Sequence, residues 1–133
     1  MELETPAQAP SKTVLLIEDS ATVRSFLRRV FLKQWPEANI VEAKDGREAL
    51  HEMTRCKADL IVTDLQMPGM DGRSFIAKLR SNALLKRKRL LVLSSDDLQD
   101  LRDLYVEDTG IRFLKKPSSP DEIMHAIHSL EAV

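Results

Sequence analysis

The sequence predicts an α/β protein in which a doubly wound, five-stranded parallel sheet is covered by five helices on its two faces. Continuous apolar runs, which are typical of strands buried on both faces, recur along the chain. Amphipathic stretches with a period of about 3.6 residues separate these runs. Parallel neighbours need such crossover connections, so strict alternation favours an open parallel sheet. The 133 residues fit a single domain without an internal repeat.

Five apolar segments are expected to form the strands. They occupy residues 14–17, 40–41, 60–62, 90–93 and 113–114. Right-handed crossovers leave few topologies for five such strands. In an open sheet of this kind, ligands bind at the carboxyl ends of the strands, near the point where the strand order reverses.

Each strand is followed by a set of apolar residues that share one helical face. Ser20 is a suitable N-cap for the first helix, which Trp35-Pro36 should end. Ser119, Pro120 and Glu122 give the last helix a capping box and a proline in its first turn. In chain order the apolar faces are Val23/Phe26/Leu27/Val30/Phe31, Ala49/Leu50/Met53, Phe75/Ile76/Leu79, Leu98/Leu101/Leu104/Tyr105 and Ile123/Ala126/Ile127/Leu130.

Composition limits the environment and the partners. Cys56 is the sole cysteine, which excludes an internal disulfide and favours a reducing, cytoplasmic compartment. The formal net charge of −1 gives no general attraction to nucleic acid or membrane. The polar residues 1–11 are expected to be a disordered lead-in, and residues 12–133 the folded domain. The basic run at 86–89 is interpreted as a solvated loop, with an acidic partner or nucleic acid as the alternative.

Charged and hydroxyl side chains stand at the carboxyl ends of the predicted strands. Glu18 and Asp19 follow the first strand, and Asp64 ends the third. Ser94 ends the fourth strand, and Lys116 follows the fifth. Each residue alone would be a helix cap or a surface residue, but parallel strands bring all five to one edge. Three carboxylates there repel one another, and a hard divalent cation such as Mg²⁺ removes the conflict.

This set of residues suits phosphoryl transfer. With the metal held by Glu18 and Asp19, Asp64 can stay ionised and attack phosphorus, which gives an aspartyl-phosphate. The ammonium of Lys116 and the hydroxyl of Ser94 can then stabilise the phosphoryl oxygens.

The same residues lie in motifs that resemble those of the receiver domains of response regulators, which belong to two-component systems. The chemotaxis response regulator is the simplest member of this family. The similarity covers about residues 13–130. The matching segments are VLLIEDS at 14–20, DLIVTDLQMPGMDG at 59–72, VLSS at 92–95 and FLKKP at 113–117. The resemblance implies a flavodoxin-like fold with strand order 2-1-3-4-5.

The resemblance also implies a role for each site residue. Asp64 would be the phosphoacceptor, with Mg²⁺ or Mn²⁺ as the cofactor. Asp19 and Asp64 would bind the metal directly, Glu18 through water, and Gln66 through its backbone carbonyl. Lys116 would contact the phosphate, and its bond to Pro117 would be cis. Ser94 and Phe113 would form the switch pair. Ser95 would affect access to the phosphoryl group, and Asp96 the rate at which that group is lost. In the switch, Ser94 moves toward the phosphoryl group and the Phe113 ring moves in from an outward position.

The implied partners follow from the same resemblance. A sensor histidine kinase or a histidine phosphotransfer protein would donate the phosphoryl group, and a downstream protein or output domain would receive the signal. The domain would catalyse only its own phosphorylation and dephosphorylation, so it is expected not to be an enzyme in the usual sense. It would act as a monomer or a phosphorylation-dependent homodimer, without direct contact with nucleic acid or membrane.

Two other functions are considered. An aspartate-nucleophile phosphohydrolase would use the same carboxylate chemistry, but it needs a second aspartate where Gln66 stands. A phosphorylation-independent interaction domain would need a damaged acidic site, and Glu18, Asp19 and Asp64 leave this one intact.

Overall fold

The computed structural model describes residues 12–67 and 69–132, so the expected lead-in at residues 1–11 lies outside the described residues. The strands are β1 (Thr13–Ile17), β2 (Asn39–Ala43), β3 (Leu60–Asp64), β4 (Gln66–Met67), β5 (Met70–Asp71), β6 (Arg89–Ser94) and β7 (Ile111–Lys115). The helices are α1 (Ala21–Gln34), α2 (Gly46–Arg55), α3 (Gly72–Ser81), α4 (Gln99–Leu104) and α5 (Pro120–Glu131). None of the described helices is long and apolar enough to cross a bilayer.

Five strands form one parallel sheet in the order β2-β1-β3-β6-β7. This is the predicted order 2-1-3-4-5, because the two short strands β4 and β5 pair only with each other. The order reverses between β1 and β3, where Ile17 is level with Thr63. On the other side of β3, Asp64 is level with Leu93. The carboxyl ends of these three strands therefore lie side by side.

Both faces of the sheet are buried, as the continuous apolar runs predict. Alternate residues of β1 point to opposite sides: Leu15 belongs to the core under α2, α3 and α4, and Leu16 to the core under α1 and α5. Both side chains are fully buried. Because strand side chains alternate, a two-sided core needs apolar residues at every position of the strand.

The chain after β3 folds back as a small antiparallel hairpin that the sequence did not predict. Gln66 pairs with Asp71 across it. Gly69 has φ of 71°, a left-handed conformation that glycine adopts without strain. A Cβ on Gly72 would lie 2.7 Å from the Cα of Leu65. Two glycines thus let the chain turn and then pack directly against the residue that follows Asp64.

Helix caps mostly lie where the sequence predicts them. The Ser20 hydroxyl accepts a hydrogen bond from the backbone N–H of Val23 (3.2 Å), and α1 ends at Gln34, just before Trp35-Pro36. Ser119 and Glu122 form the predicted capping box of α5.

The fourth helix differs from the prediction. Leu98 and Leu101 are buried as expected, but Leu104 is 70% exposed. Helix α4 has only six residues and no side-chain cap, and Tyr105 lies just beyond its end. Such a short helix has fewer than two turns, and its last residue lies outside the core, so the prediction that Leu104 packs in the core is wrong.

Candidate functional site

Three carboxylates meet at the carboxyl edge of the sheet. Glu18 and Asp19 follow β1, and Asp64 is the last residue of β3. One oxygen from each lies within 4.8 Å of the others. Glu18 and Asp64 are buried, whereas Asp19 is exposed. The shared register of β1 and β3 thus brings together residues that are 46 positions apart in the chain.

Lys116 bridges the two buried carboxylates. Its ammonium donates to Glu18 Oε2 and to Asp64 Oδ2, each at 2.7 Å. The Lys116 backbone N–H also donates to the Ser94 carbonyl at 2.7 Å, which continues the pairing of β7 with β6. The bond between Lys116 and Pro117 is cis, as the resemblance implied.

The charges of this site perturb one another. Burial raises the pKa of Glu18, and the charge of Asp64 raises it further. Hydrogen bonds from Lys116 and from the Ser20 N–H oppose the increase, but the net pKa remains above its ordinary value. For Lys116, burial lowers the pKa, but hydrogen bonds to Asp64 and Glu18 and their charges outweigh it, so the net pKa is raised. The lysine therefore compensates for negative charge that has little access to water.

Gln66 holds the loop around Asp64 in two ways. Its backbone N–H donates to Asp64 Oδ1 at 2.9 Å. Its side chain accepts from the Ser95 hydroxyl and donates to Asp96 Oδ2, each at 2.6 Å. These bonds join the β3–β4 turn to the loop after β6. The sequence placed Gln66, Ser95 and Asp96 near the site, but it did not reveal this bridge, which depends on side-chain conformations.

The two predicted switch residues lie on adjacent strands. Ser94 is fully buried, and its hydroxyl accepts a hydrogen bond from the Asp96 N–H at 3.1 Å. The sequence reasoning expected an outward Phe113 ring before phosphorylation, but the ring is buried and only 7% of Phe113 is exposed. The Arg102 guanidinium lies 5.9 Å from the ring centroid and donates to the Phe113 carbonyl at 3.0 Å. The buried ring packs in the apolar core under α4.

Arg24 is a supporting residue that the sequence reasoning missed. Its guanidinium donates to the backbone carbonyls of Glu18 (2.7 Å) and Asp19 (3.2 Å) and pairs with Glu42 on β2 (2.9 Å). The bonds fix the backbone that carries two of the three carboxylates. Its position in the first turns of α1 gives no signal in the sequence, because an arginine on an amphipathic helix is usually a solvated residue.

Comparison with known proteins identifies the family. Residues 14–128 match the family described as the response regulator receiver domain. The chain belongs to this family. Receiver domains are the phosphoryl-accepting modules of two-component signalling, and the position of Asp64 in this one is consistent with that role.

Relatives of this receiver domain occur alone and within longer proteins. Protein PilG of Pseudomonas aeruginosa is 29% identical over 121 residues, which cover 90% of this chain and 87% of PilG. The sensor histidine kinase TmoS of Ectopseudomonas mendocina is 29% identical over 92% of this chain, which spans only 12% of TmoS. The chain likewise spans less than a third of several other curated relatives.

The fold agrees with solved receiver structures. The chemotaxis response regulator CheY4 of Vibrio cholerae superposes with a TM-score of 0.77 at 23% identity, covering 90% of this chain and 98% of CheY4. At this identity, the similarity concerns the fold alone.

The donor set of this receiver domain fits a hard divalent cation. Carboxylate and carbonyl oxygens are the ligands that Mg²⁺ prefers, and one or two carboxylates suffice because the ion keeps several waters. Asp19 is exposed and close to the buried pair, so a cation can approach from solvent on the side of Asp19. The three carboxylates carry more negative charge than the single Lys116 ammonium can neutralise, and this excess attracts a cation.

Proposed function

We propose that this receiver domain accepts a phosphoryl group on Asp64 in a reaction that depends on Mg²⁺ or Mn²⁺. The observation that carries the proposal is the double contact of the Lys116 ammonium with Asp64 and Glu18 at 2.7 Å. The fixed cation orients the Asp64 carboxylate for attack on phosphorus. Phosphoryl transfer asks the protein mainly for such positioning and for neutralisation of charge.

In the proposed step, one carboxylate oxygen of Asp64 forms a bond to phosphorus. The bond between phosphorus and the donor's imidazole nitrogen breaks, and its electron pair returns to that nitrogen. The backbone N–H of Gln66 holds the carboxylate, and the Lys116 ammonium moves from the carboxylate to a phosphoryl oxygen. The Ser94 hydroxyl, which accepts a hydrogen bond from the Asp96 N–H, donates its own hydrogen bond to a second phosphoryl oxygen.

The metal would be held by Asp19 and Asp64 directly, by the Gln66 carbonyl, and by Glu18 through water. When bound, it supplies positive charge that stabilises both the carboxylates and the phosphoryl oxygens. The fit to the three carboxylates supports this assignment.

We propose that the phosphoryl group alters the Ser94/Phe113 pair and thereby the surface formed by α4 and β7. Phosphorylation adds nearly two negative charges and three acceptor oxygens beside Ser94. Because the Phe113 ring is already buried, the switch would raise the population of this ring position at the expense of an outward one.

The proposed donor is a sensor histidine kinase or a histidine phosphotransfer protein in the cytoplasm, and the proposed receiver of the signal is a downstream protein or output domain. The domain would act on no other substrate, as a monomer or as a homodimer that forms on phosphorylation. The similarity to receiver domains within longer signalling proteins supports both kinds of partner.

Acetyl phosphate with MgCl₂ tests the proposal through intact-protein mass spectrometry. We expect a gain of one phosphoryl group that is lost in Asp64→Asn and when Mg²⁺ is chelated. Asp121→Asn is the matched control, because Asp121 is an exposed acid in the first turn of α5. A gain that persists in Asp64→Asn contradicts the proposal, and steady turnover of a phosphoester substrate favours a phosphohydrolase.

A further inference from the structure

We propose that a second site, at the amino edge of the sheet, binds a polyphosphate. A cavity of about 500 Å³ lies where the chain enters β3, β6 and β7, at the opposite edge from Asp64. Five basic residues line it: Arg80 and the four consecutive residues 86–89. The volume is in the usual range for small-molecule pockets, about 300–1,000 Å³.

Three of the five basic residues at this cavity have no ion-pair partner among the described residues. These three are Lys86, Arg87 and Lys88. Two acids also line the cavity: Asp108 pairs with Arg80 at 2.6 Å, and Asp59 accepts the Thr13 N–H at 2.8 Å. Five basic and two acidic lining residues leave a formal net charge of +3. Neighbouring cations repel one another, and a bound polyanion would relieve this repulsion.

Arg80 holds the basic loop in its curved shape. Its side chain is mostly buried, and it donates to the carbonyls of Lys86 (3.2 Å), Lys88 (2.7 Å) and Gly110 (3.0 Å). One guanidinium thus ties the α3–β6 loop to the residue before β7. These bonds fix the loop backbone that carries the basic side chains of residues 86–88. Preorganisation of this kind lowers the entropy lost when a ligand binds.

The lining indicates the chemistry of the ligand. None of the described lining residues is aromatic, so the cavity offers no platform for stacking a base. Its apolar contribution is limited to residues such as Ala58 and Leu130, which gives little anchorage for an apolar peptide side chain. Several cations around one concave space match a chain of two or three phosphates better than a single carboxylate. Recognition should therefore depend on the phosphates and not on an attached nucleoside.

Isothermal titration calorimetry of the full chain tests the proposal, after metal has been removed with a chelating resin so that the Asp64 site is metal-free and no soluble polyanion competes. We expect inorganic tripolyphosphate and ATP to bind with similar affinity and adenosine not to bind. Lys86→Gln/Arg87→Gln should weaken binding at least about tenfold, since charge-assisted bonds are lost. The matched control is Arg29→Gln/Lys33→Gln, which removes two exposed cations from α1 and should leave the affinity unchanged.

Further readouts locate the site. Amide NMR shifts on titration with tripolyphosphate should concentrate at residues 86–88 and 110, and Lys86→Gln/Arg87→Gln should still take up a phosphoryl group at Asp64. Four results would each overturn the proposal: no binding of tripolyphosphate, equal loss of affinity in both double variants, binding of adenosine alone, or tighter binding of an oligoglutamate peptide than of tripolyphosphate.

Discussion

Replacing Lys116 with methionine removes the ammonium that contacts both buried carboxylates and keeps a side chain of similar length. Glu18 and Asp64 are then left close together, with 2% and 5% of each residue exposed and no fixed cation between them. Without metal, neither carboxylate can recover its hydration. We therefore expect Lys116→Met to destabilise the metal-free protein.

The size of the effect follows from the burial of the three groups. Removing one partner of a buried ion pair costs about 3–5 kcal/mol. The Lys116 side chain is 23% exposed, so we expect the lower end, about 3 kcal/mol. With an m-value of about 2 kcal/mol per molar urea, the unfolding midpoint should fall by about 1.5 M.

The loss should depend on pH in a defined direction. The pKa of Lys116 is raised above 10.5, so in the wild type its contribution is fully present below that value and lost only above it. In the variant, Glu18 loses the Lys116 hydrogen bond that lowers its pKa. As the pH falls, Glu18 therefore takes up a proton in the folded state before it does so in the unfolded chain, where its pKa is near 4.5. Such uptake stabilises the folded state as the pH falls. The loss of unfolding free energy in Lys116→Met, relative to the wild type, should therefore be large at neutral pH and smaller toward pH 5.

Urea unfolding followed by circular dichroism, in EDTA and over a pH series, measures these quantities. Lys115→Met is the matched control, because Lys115 is exposed and forms no ion pair with any described residue. Millimolar Mg²⁺ in excess of the EDTA should restore part of the stability of Lys116→Met, since it would bind the same carboxylates. Equal midpoints for the two variants, or a deficit that does not change with pH, would refute the reasoning.

Three further outcomes are expected. Gly72→Ala should lower the free energy of unfolding in urea by about 1–3 kcal/mol, because the added Cβ would lie 2.7 Å from the Leu65 backbone. Unchanged stability would show that Gly72 does not pack this closely against Leu65. Mg²⁺ affinity, measured by calorimetry, should fall as the pH is lowered, and at higher pH than for an ordinary carboxyl, because the pKa of Glu18 is raised; a pH-independent affinity would exclude Glu18. Gln66→Ala should shorten the lifetime of the phosphoryl group, since its side-chain bridge to Ser95 and Asp96 is lost; a longer lifetime would contradict a shielding role.

Regular elements were predictable from the sequence because they follow from periodicity and caps. The parallel sheet, its order and the burial of both faces match the apolar runs and the family motifs. The convergence of Glu18, Asp64 and Lys116 follows from topology, because parallel strands end at one edge.

Features set by few residues or by side-chain conformation were not predictable. Strands β4 and β5 have two residues each, too few for any period to appear. The exposure of Leu104 depends on where a six-residue helix ends, and apolar spacing does not encode that end. Arg24 and Arg80 donate hydrogen bonds to backbone carbonyls in other elements of the fold. In the sequence, each of these arginines looks like an ordinary surface residue.

The contact of Arg102 with Phe113 has a consequence for any partner of this domain. The guanidinium joins α4 to both the ring and the carbonyl of Phe113. A protein that binds α4, where Leu104 is exposed, would thus favour one position of this ring, which lies on the strand next to that of Ser94. Equilibria coupled in this manner are reciprocal. If phosphorylation increases the affinity for that partner by some factor, the bound partner raises the equilibrium constant for phosphorylation by the same factor. The target would therefore help to set how much of the domain is phosphorylated.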